Sequence, residues 1–130
     1  MYEASRVLRG KVLREPLGMG STVEVFPFEH ESRHFLALME DQVVGCVLFH
    51  PRGTEGKLYQ MAVHPDYRGQ GIGTKLVGKL ESYAGGHGIK LLFCNSRYYA
   101  VSYYEMLGFG VVGEPFDEIG MQHFRMEKEL

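Results

Sequence analysis

The chain has 130 residues, a length that suits one compact domain able to bury roughly two-thirds of its unfolded surface. Its formal charge of −2 offers no bulk attraction for nucleic-acid phosphates or anionic lipid. No apolar run approaches the roughly 20 residues of a membrane span, and the opening stretch MYEASRVLRGKVLRE carries charges where a secretion signal would be apolar. The expectation is a soluble cytoplasmic protein, a single domain over residues 1–130, with no nucleic-acid or membrane partner.

In chain order, Val7, Leu8, Val12 and Leu13 recur at helical spacing, and Pro16 and Gly18 close a helix running from Tyr2 to about Arg14. Residues 22–28 (TVEVFPF) alternate as a strand does, with Pro27 confining it to an edge or an end. FLALMED (35–41) and QVVGCVLFH (42–50) read as a hairpin closed by a tight acidic turn, and KLYQMAVHP (57–65) as the next strand. Ile72, Leu76, Leu80 and Ala84 then place one apolar face on a helix that Gly85, Gly86 and Gly88 end. IKLLFCN (89–95) is nearly continuous in apolar residues, the pattern of a strand covered on both faces. YYAVSYYEML (98–107) is a short aromatic helix stopped by Gly108, and FGVVGEPF and MQHFRMEKEL supply two final strands, the last an edge strand with a solvated face. The order predicts an α/β (α+β) fold whose central strand–helix–strand unit is parallel and right-handed.

Cys46 and Cys94 sit in apolar runs without metal-ligand spacing and read as buried free thiols. His50 and His64 precede prolines at strand ends and read as near-solvent histidines; His30 and His34 flank Glu31 in a polar connector, and no metal site is expected.

Glycine, at 17 of 130, is nearly twice its usual share of about 7%, and the excess gathers in Arg68-Gly69-Gln70-Gly71-Ile72-Gly73-Thr74, between a strand end and a helix start. Helix starts bind anions there: their first backbone N–H groups lack partners and glycine lets a phosphate approach them closely. Spacing excludes a dinucleotide G-x-G-x-x-G, whose third glycine would fall on Thr74 or Leu76, and a Walker loop, since no Gly-Lys-Ser/Thr triplet exists.

What remains is R-x-x-G-x-G after a strand ending Ala-Val-His-Pro. MAVHPDYRGQGIGTKL, with SYYEMLGF some thirty residues on, resembles the GNAT superfamily of acetyl-CoA-dependent N-acetyltransferases over nearly the whole chain. CNSRYYAVSYYEMLGF and GEPFDEIGMQHFRMEK are similar to the small stand-alone, ElaA-like members, with departures at Ser96, Tyr103 and Met121. The resemblance implies a mixed central sheet with helices on both faces and acetyl-CoA as cosubstrate. Backbone N–H groups of Arg68, Gly69, Gln70, Gly71, Ile72, Gly73 and Thr74 would hold the pyrophosphate, and Met61, Ala62 and Val63 would pair with the pantetheine arm as an added strand. The acceptor would be the amine of a small molecule or a peptide, and a homodimer stays open.

Direct transfer needs a neutral amine and a proton for the departing thiolate. The resemblance assigns that acid to Tyr104; Tyr103 reads as core. Asn95 and Arg97 could touch the cofactor or cap a loop. The usual positions of a base carboxylate hold Lys57, Leu92 and Phe93, leaving Glu118 or His123, acting through water, as candidates on the last strand pair. The missing carboxylate also keeps open a catalytically silent CoA-binding sensor.

Overall fold

The computed structural model describes residues 2–9 and 32–130. The expected strand at 22–28, the helix beyond Arg9 and the His30–Glu31 pair lie outside the described residues. The elements are α1 (Tyr2–Arg9), β1 (Arg33–Met39), β2 (Gln42–Arg52), β3 (Glu55–Val63), α2 (Ile72–Gly85), β4 (Leu91–Arg97), α3 (Val101–Met106), β5 (Gly110–Val111), β6 (Phe116–Glu118) and β7 (Met121–Glu129). A 3-10 turn at Pro65–Tyr67 precedes α2, and another at Tyr98–Ala100 forms the first part of the expected aromatic helix.

The β1–β2 hairpin closes through Glu40 and Asp41, both at positive φ (50° and 66°), as a two-residue type I′ connection requires. β2 pairs antiparallel with β3, and β3 pairs parallel with β4 across α2. β7 lies antiparallel to β4, with β5 and β6 on its far side. The sheet order is β1-β2-β3-β4-β7-β5, with β6 beside β7.

α2 buries Leu76, Val77, Leu80 and Ala84 against Val47, Phe49, Leu58, Leu92, Cys94 and Met126 on one face of the sheet. On the other face α1 sets Leu8 against Val43, Cys46 and Ala62. Leu8 rather than Val7 is the apolar contact: Val7 is 68% exposed, and Ser5, Leu8 and Arg9 form the buried stripe. Both cysteines are free and buried.

Three expectations change in detail. β4 alternates instead of being covered throughout: Leu92, Cys94 and Ser96 are buried on the α2 side, and Leu91, Phe93, Asn95 and Arg97 are half-buried on the other. The apolar run misled because Leu91 and Phe93 sit on a face that polar β7 residues also share. The final strands number three pieces, β5, β6 and β7, since Glu114 and Pro115 interrupt pairing. MEKEL belongs to an interior strand, because β7 has neighbours on both sides. Its Lys128 donates to Glu81 Oε1 (2.8 Å) and to the Leu107 carbonyl (2.8 Å), tying α2, the end of α3 and β7 together.

Two irregularities shape the centre. Cys46 opposes Ala62 and Leu48 opposes Tyr59, so Gln60 and Met61 together face Val47 in a bulge, with Gln60 at φ 53°. A bulge reverses which side the following residues face. Leu58 before it and Met61 after it both reach the α2-side core, while Ala62 turns to α1. The β3–β4 ladder, moreover, covers only Glu55–Lys57 against Leu91–Phe93. Beyond that point β3 continues to Val63 and β4 to Arg97 without pairing to each other, so the two strands part and leave facing backbone edges.

Candidate active site

The glycine loop lies beside this parting. His64 Nδ1 accepts from the Asp66 N–H (3.1 Å) and so starts the 3-10 turn, while Arg68 Nε donates to the Val63 carbonyl (3.1 Å), fixing the loop to the strand end. Gly69 and Gly71 stand at φ 79° and 77°, a backbone conformation that L side chains rarely adopt. A Cβ at either would meet nothing within 4 Å among the described residues, so the cradle above them is open on that side. Gly71 is the N-cap of α2 and no side chain caps the helix; the first intrahelical bond runs from Lys75 N to Gly71 O (3.0 Å). The N–H groups of Ile72, Gly73 and Thr74 therefore have no helical acceptor, and the helix dipole adds about half a positive charge at the same place. That arrangement suits an anion.

Gly73 has a different task. It is buried, and a Cβ there would collide with the Tyr103 hydroxyl. Its missing side chain lets α3 close on the first turn of α2, which agrees with the core reading of Tyr103.

Tyr104, the next residue on α3, packs its ring edge-on to Phe109 and points its hydroxyl at Met61 Sδ, 3.8 Å away across the parting of β3 and β4. Part of the side chain stays accessible, yet burial pushes the hydroxyl well above the usual tyrosine range, with Cys94 and Tyr103 adding in the same direction and Arg97 opposing. Tyr104 therefore holds its proton throughout the neutral range. Burial likewise pushes the Cys94 thiol up to about 12 and keeps it neutral.

Asn95 and Arg97 lie on the face of β4 away from α2, opposite Arg125 and His123 of β7. Arg97 donates to the Tyr99 hydroxyl (2.8 Å). His123 is 3% exposed and donates its Nδ1 proton to the Met121 carbonyl (3.0 Å), leaving Nε2 as the acceptor nitrogen; Glu118 is exposed on β6. His64 is the strand-end cap described above.

The same face carries a cleft of about 440 Å³ that sequence reasoning missed, lined by His50, Arg52, Glu55, Lys57, Phe93 and Arg125. Arg125 stacks over Phe93 (4.1 Å to the ring centre) and engages both nearby carboxylates, Glu127 at 2.9 Å and Glu55 at 3.9 Å. These residues come from four strands, and no spacing in the sequence could have united them. Among the described residues no three His, Cys, Asp or Glu side chains gather as a metal site, and no helix is long and apolar enough to cross a membrane.

The family model for the acetyltransferase (GNAT) domain matches residues 21–130. The chain belongs to the GNAT acetyltransferase family. Among relatives of this GNAT chain, an uncharacterized N-acetyltransferase, YitI of Bacillus subtilis (strain 168), is 31% identical over 107 residues, 76% of this chain and 72% of YitI. The fold matches Escherichia coli ElaA with a TM-score of 0.79 at 20% identity, covering 98% of this chain and 89% of ElaA. It also matches a GNAT family acetyltransferase from Elizabethkingia anophelis with acetyl-CoA bound, with a TM-score of 0.71 at 18% identity, covering 95% and 88% of the two chains.

Proposed function

We propose that this chain transfers the acetyl group of acetyl-CoA directly to a primary amine. The observation that carries the reading is the Tyr104 hydroxyl, protonated and aimed at Met61 where β3 and β4 part, beside an uncapped helix start. The residues fit the cosubstrate: among the described residues the glycine cradle is open, its N–H groups lack helical acceptors, and the β4-side edge of β3 at Met61, Ala62 and Val63 is unpaired. Bound acetyl-CoA supplies the activated thioester. The N–H groups from Arg68 to Thr74 hold its pyrophosphate, with Gly73 contributing backbone only. The Met61–Val63 edge pairs with its amide-bearing arm, and Tyr104 gives a proton to the departing thiolate. Asn95 and Arg97 face the acceptor side, where Arg97 also acts electrostatically on Tyr104. His123 and Glu118 border that side on the β6–β7 pair. The acceptor is a small-molecule or peptide amine.

Release of free CoA thiol from acetyl-CoA, followed with a set of primary amines, tests this reading. Amine-dependent thiol release supports it. Binding of acetyl-CoA without release from any amine would make the chain a silent CoA-binding module instead.

A further inference from the structure

We propose that the acceptor amine loses its proton through a three-residue relay, Tyr59–Ser32–His50, whose last member lines the cleft on the sheet face away from α2. The proposal rests on the acetyl-transfer reading above and supplies the base that its strands lack.

The geometry begins at the last paired residues of the parting strands. Lys57 and Phe93 oppose each other there, and both line the 440 Å³ cleft. Leu58 belongs to the α2-side core, so its neighbours Lys57 and Tyr59 look to the opposite face; the Lys57 ammonium lies 5.9 Å from the Tyr59 ring centre. The bulge at Gln60 then returns Met61 to the α2 side, beneath Tyr104. An amine held in the cleft and a thioester lying along Met61 therefore approach the same gap from opposite faces of the sheet.

The Tyr59 hydroxyl is 2.7 Å from Ser32 Oγ, and Ser32 Oγ is 3.4 Å from His50 Nδ1. His50 lines the cleft, so its imidazole can exchange protons with solvent there. The carboxylates of the cleft region, Glu55 and Glu127, are both engaged by the Arg125 guanidinium, at 3.9 Å and 2.9 Å.

In the step, one ammonium proton passes to the Tyr59 oxygen as Tyr59 gives its own to Ser32 and Ser32 gives its own to His50, which discharges to solvent. Each hydroxyl ends as it began. The freed nitrogen lone pair forms the C–N bond and the C–S bond breaks. Tyr104 protonates the sulfur and recovers the second proton that the nitrogen sheds. Three N–H bonds become one, one proton reaches the thiol and one reaches solvent. Tyr59 touches the amine; Ser32 and His50 act through it.

Among the described residues, the charged groups that line the cleft with His50 are Arg52 on its own strand, Glu55 and Lys57 on β3, and Arg125 on β7. Protonation of the terminal imidazole would block the relay, so the relay sets the acidic limb of the rate profile.

The test uses the full chain at saturating acetyl-CoA with the primary amine of a tested set that releases thiol fastest. His50→Gln should lower kcat/KM for the amine about 10²-fold at neutral pH, the usual weight of a positioned base. The acidic limb should vanish, the KM for acetyl-CoA should hold, and the deficit should shrink as the pH approaches the amine's own pKa. Ser32→Ala, which leaves His50 in place, should erase the same limb, and added imidazole should restore part of the rate of a folded His50→Ala. An acidic limb unchanged in His50→Gln and Ser32→Ala would overturn the relay, as would thiol release from no amine by wild-type protein that binds acetyl-CoA. Failure to bind acetyl-CoA at all would instead remove the reading beneath it.

Discussion

The Tyr104 hydroxyl faces Met61 Sδ at 3.8 Å from the opposite side of a gap that the sheet leaves open between β3 and β4. Thioether sulfur is a weak acceptor, so this contact holds the hydroxyl in place without competing strongly for its proton. A group so placed can turn to a thiolate lying on β3. Tyr104→Phe should therefore lower kcat by about 10²–10⁴-fold, the usual weight of a positioned acid, with acetyl-CoA affinity and melting temperature nearly unchanged. Steady-state kinetics beside calorimetric binding measures the split; loss of affinity in proportion to rate would make the residue a packing element.

The contact between Gly73 and Tyr103 predicts a change of sign. In the wild-type background Gly73→Ala should destabilise, because overpacking costs about 1–3 kcal/mol and outweighs the up to about 1 kcal/mol that alanine gains over glycine in a helix. With Tyr103→Phe the obstructing hydroxyl is gone, and the same substitution should become neutral or stabilising. Urea denaturation of the four proteins in the double-mutant cycle reads the coupling directly.

Alkali should unfold the protein through its buried neutral acids. Cys94 ionises near about 8.5 in an unfolded chain but is held at about 12 in the fold. Its folded value is raised, so its contribution is complete below the unfolded value and is lost as the pH climbs toward 12. Tyr104 acts with the same sign from about pH 10 upward. Thermal melts across this range should fall steadily, and Cys94→Ala should flatten the first part of the fall.

Lys128 serves the frame and lies apart from the site. Its removal leaves the Leu107 carbonyl and Glu81 without their donor. Lys128→Met should cost about 1–3 kcal/mol, the range for a partly buried charged hydrogen bond, and leave acetyl-CoA affinity intact.

Much of this arrangement is legible in the sequence because it is local. The four-residue recurrence from Ile72 to Ala84 fixes the buried face of α2, and the glycines at 69 and 71 announce positive φ at a helix start. The paired tyrosines before Gly108 mark α3. What the sequence hides depends on register. Nothing local reveals that Gln60 bulges, yet the bulge decides that Met61 rather than Gln60 lies under Tyr104. The apolar run of β4 conceals its alternation, because Phe93 is covered by Arg125 of β7 rather than by a helix. His50 looks like an ordinary strand end until the fold sets it beside Ser32, eighteen residues earlier.

The cradle of Gly69, Gly71 and the first turn of α2 is expected to hold the pyrophosphate of CoA. Calorimetric titration of wild-type protein and Gly71→Asp with acetyl-CoA tests it most directly. The substitution sets a side chain at φ 77° and a negative charge in the cradle, while a Cβ there touches no other described residue. Wild-type protein should bind saturably, and the variant, still folded, should not. Equal affinity in the two proteins would contradict it.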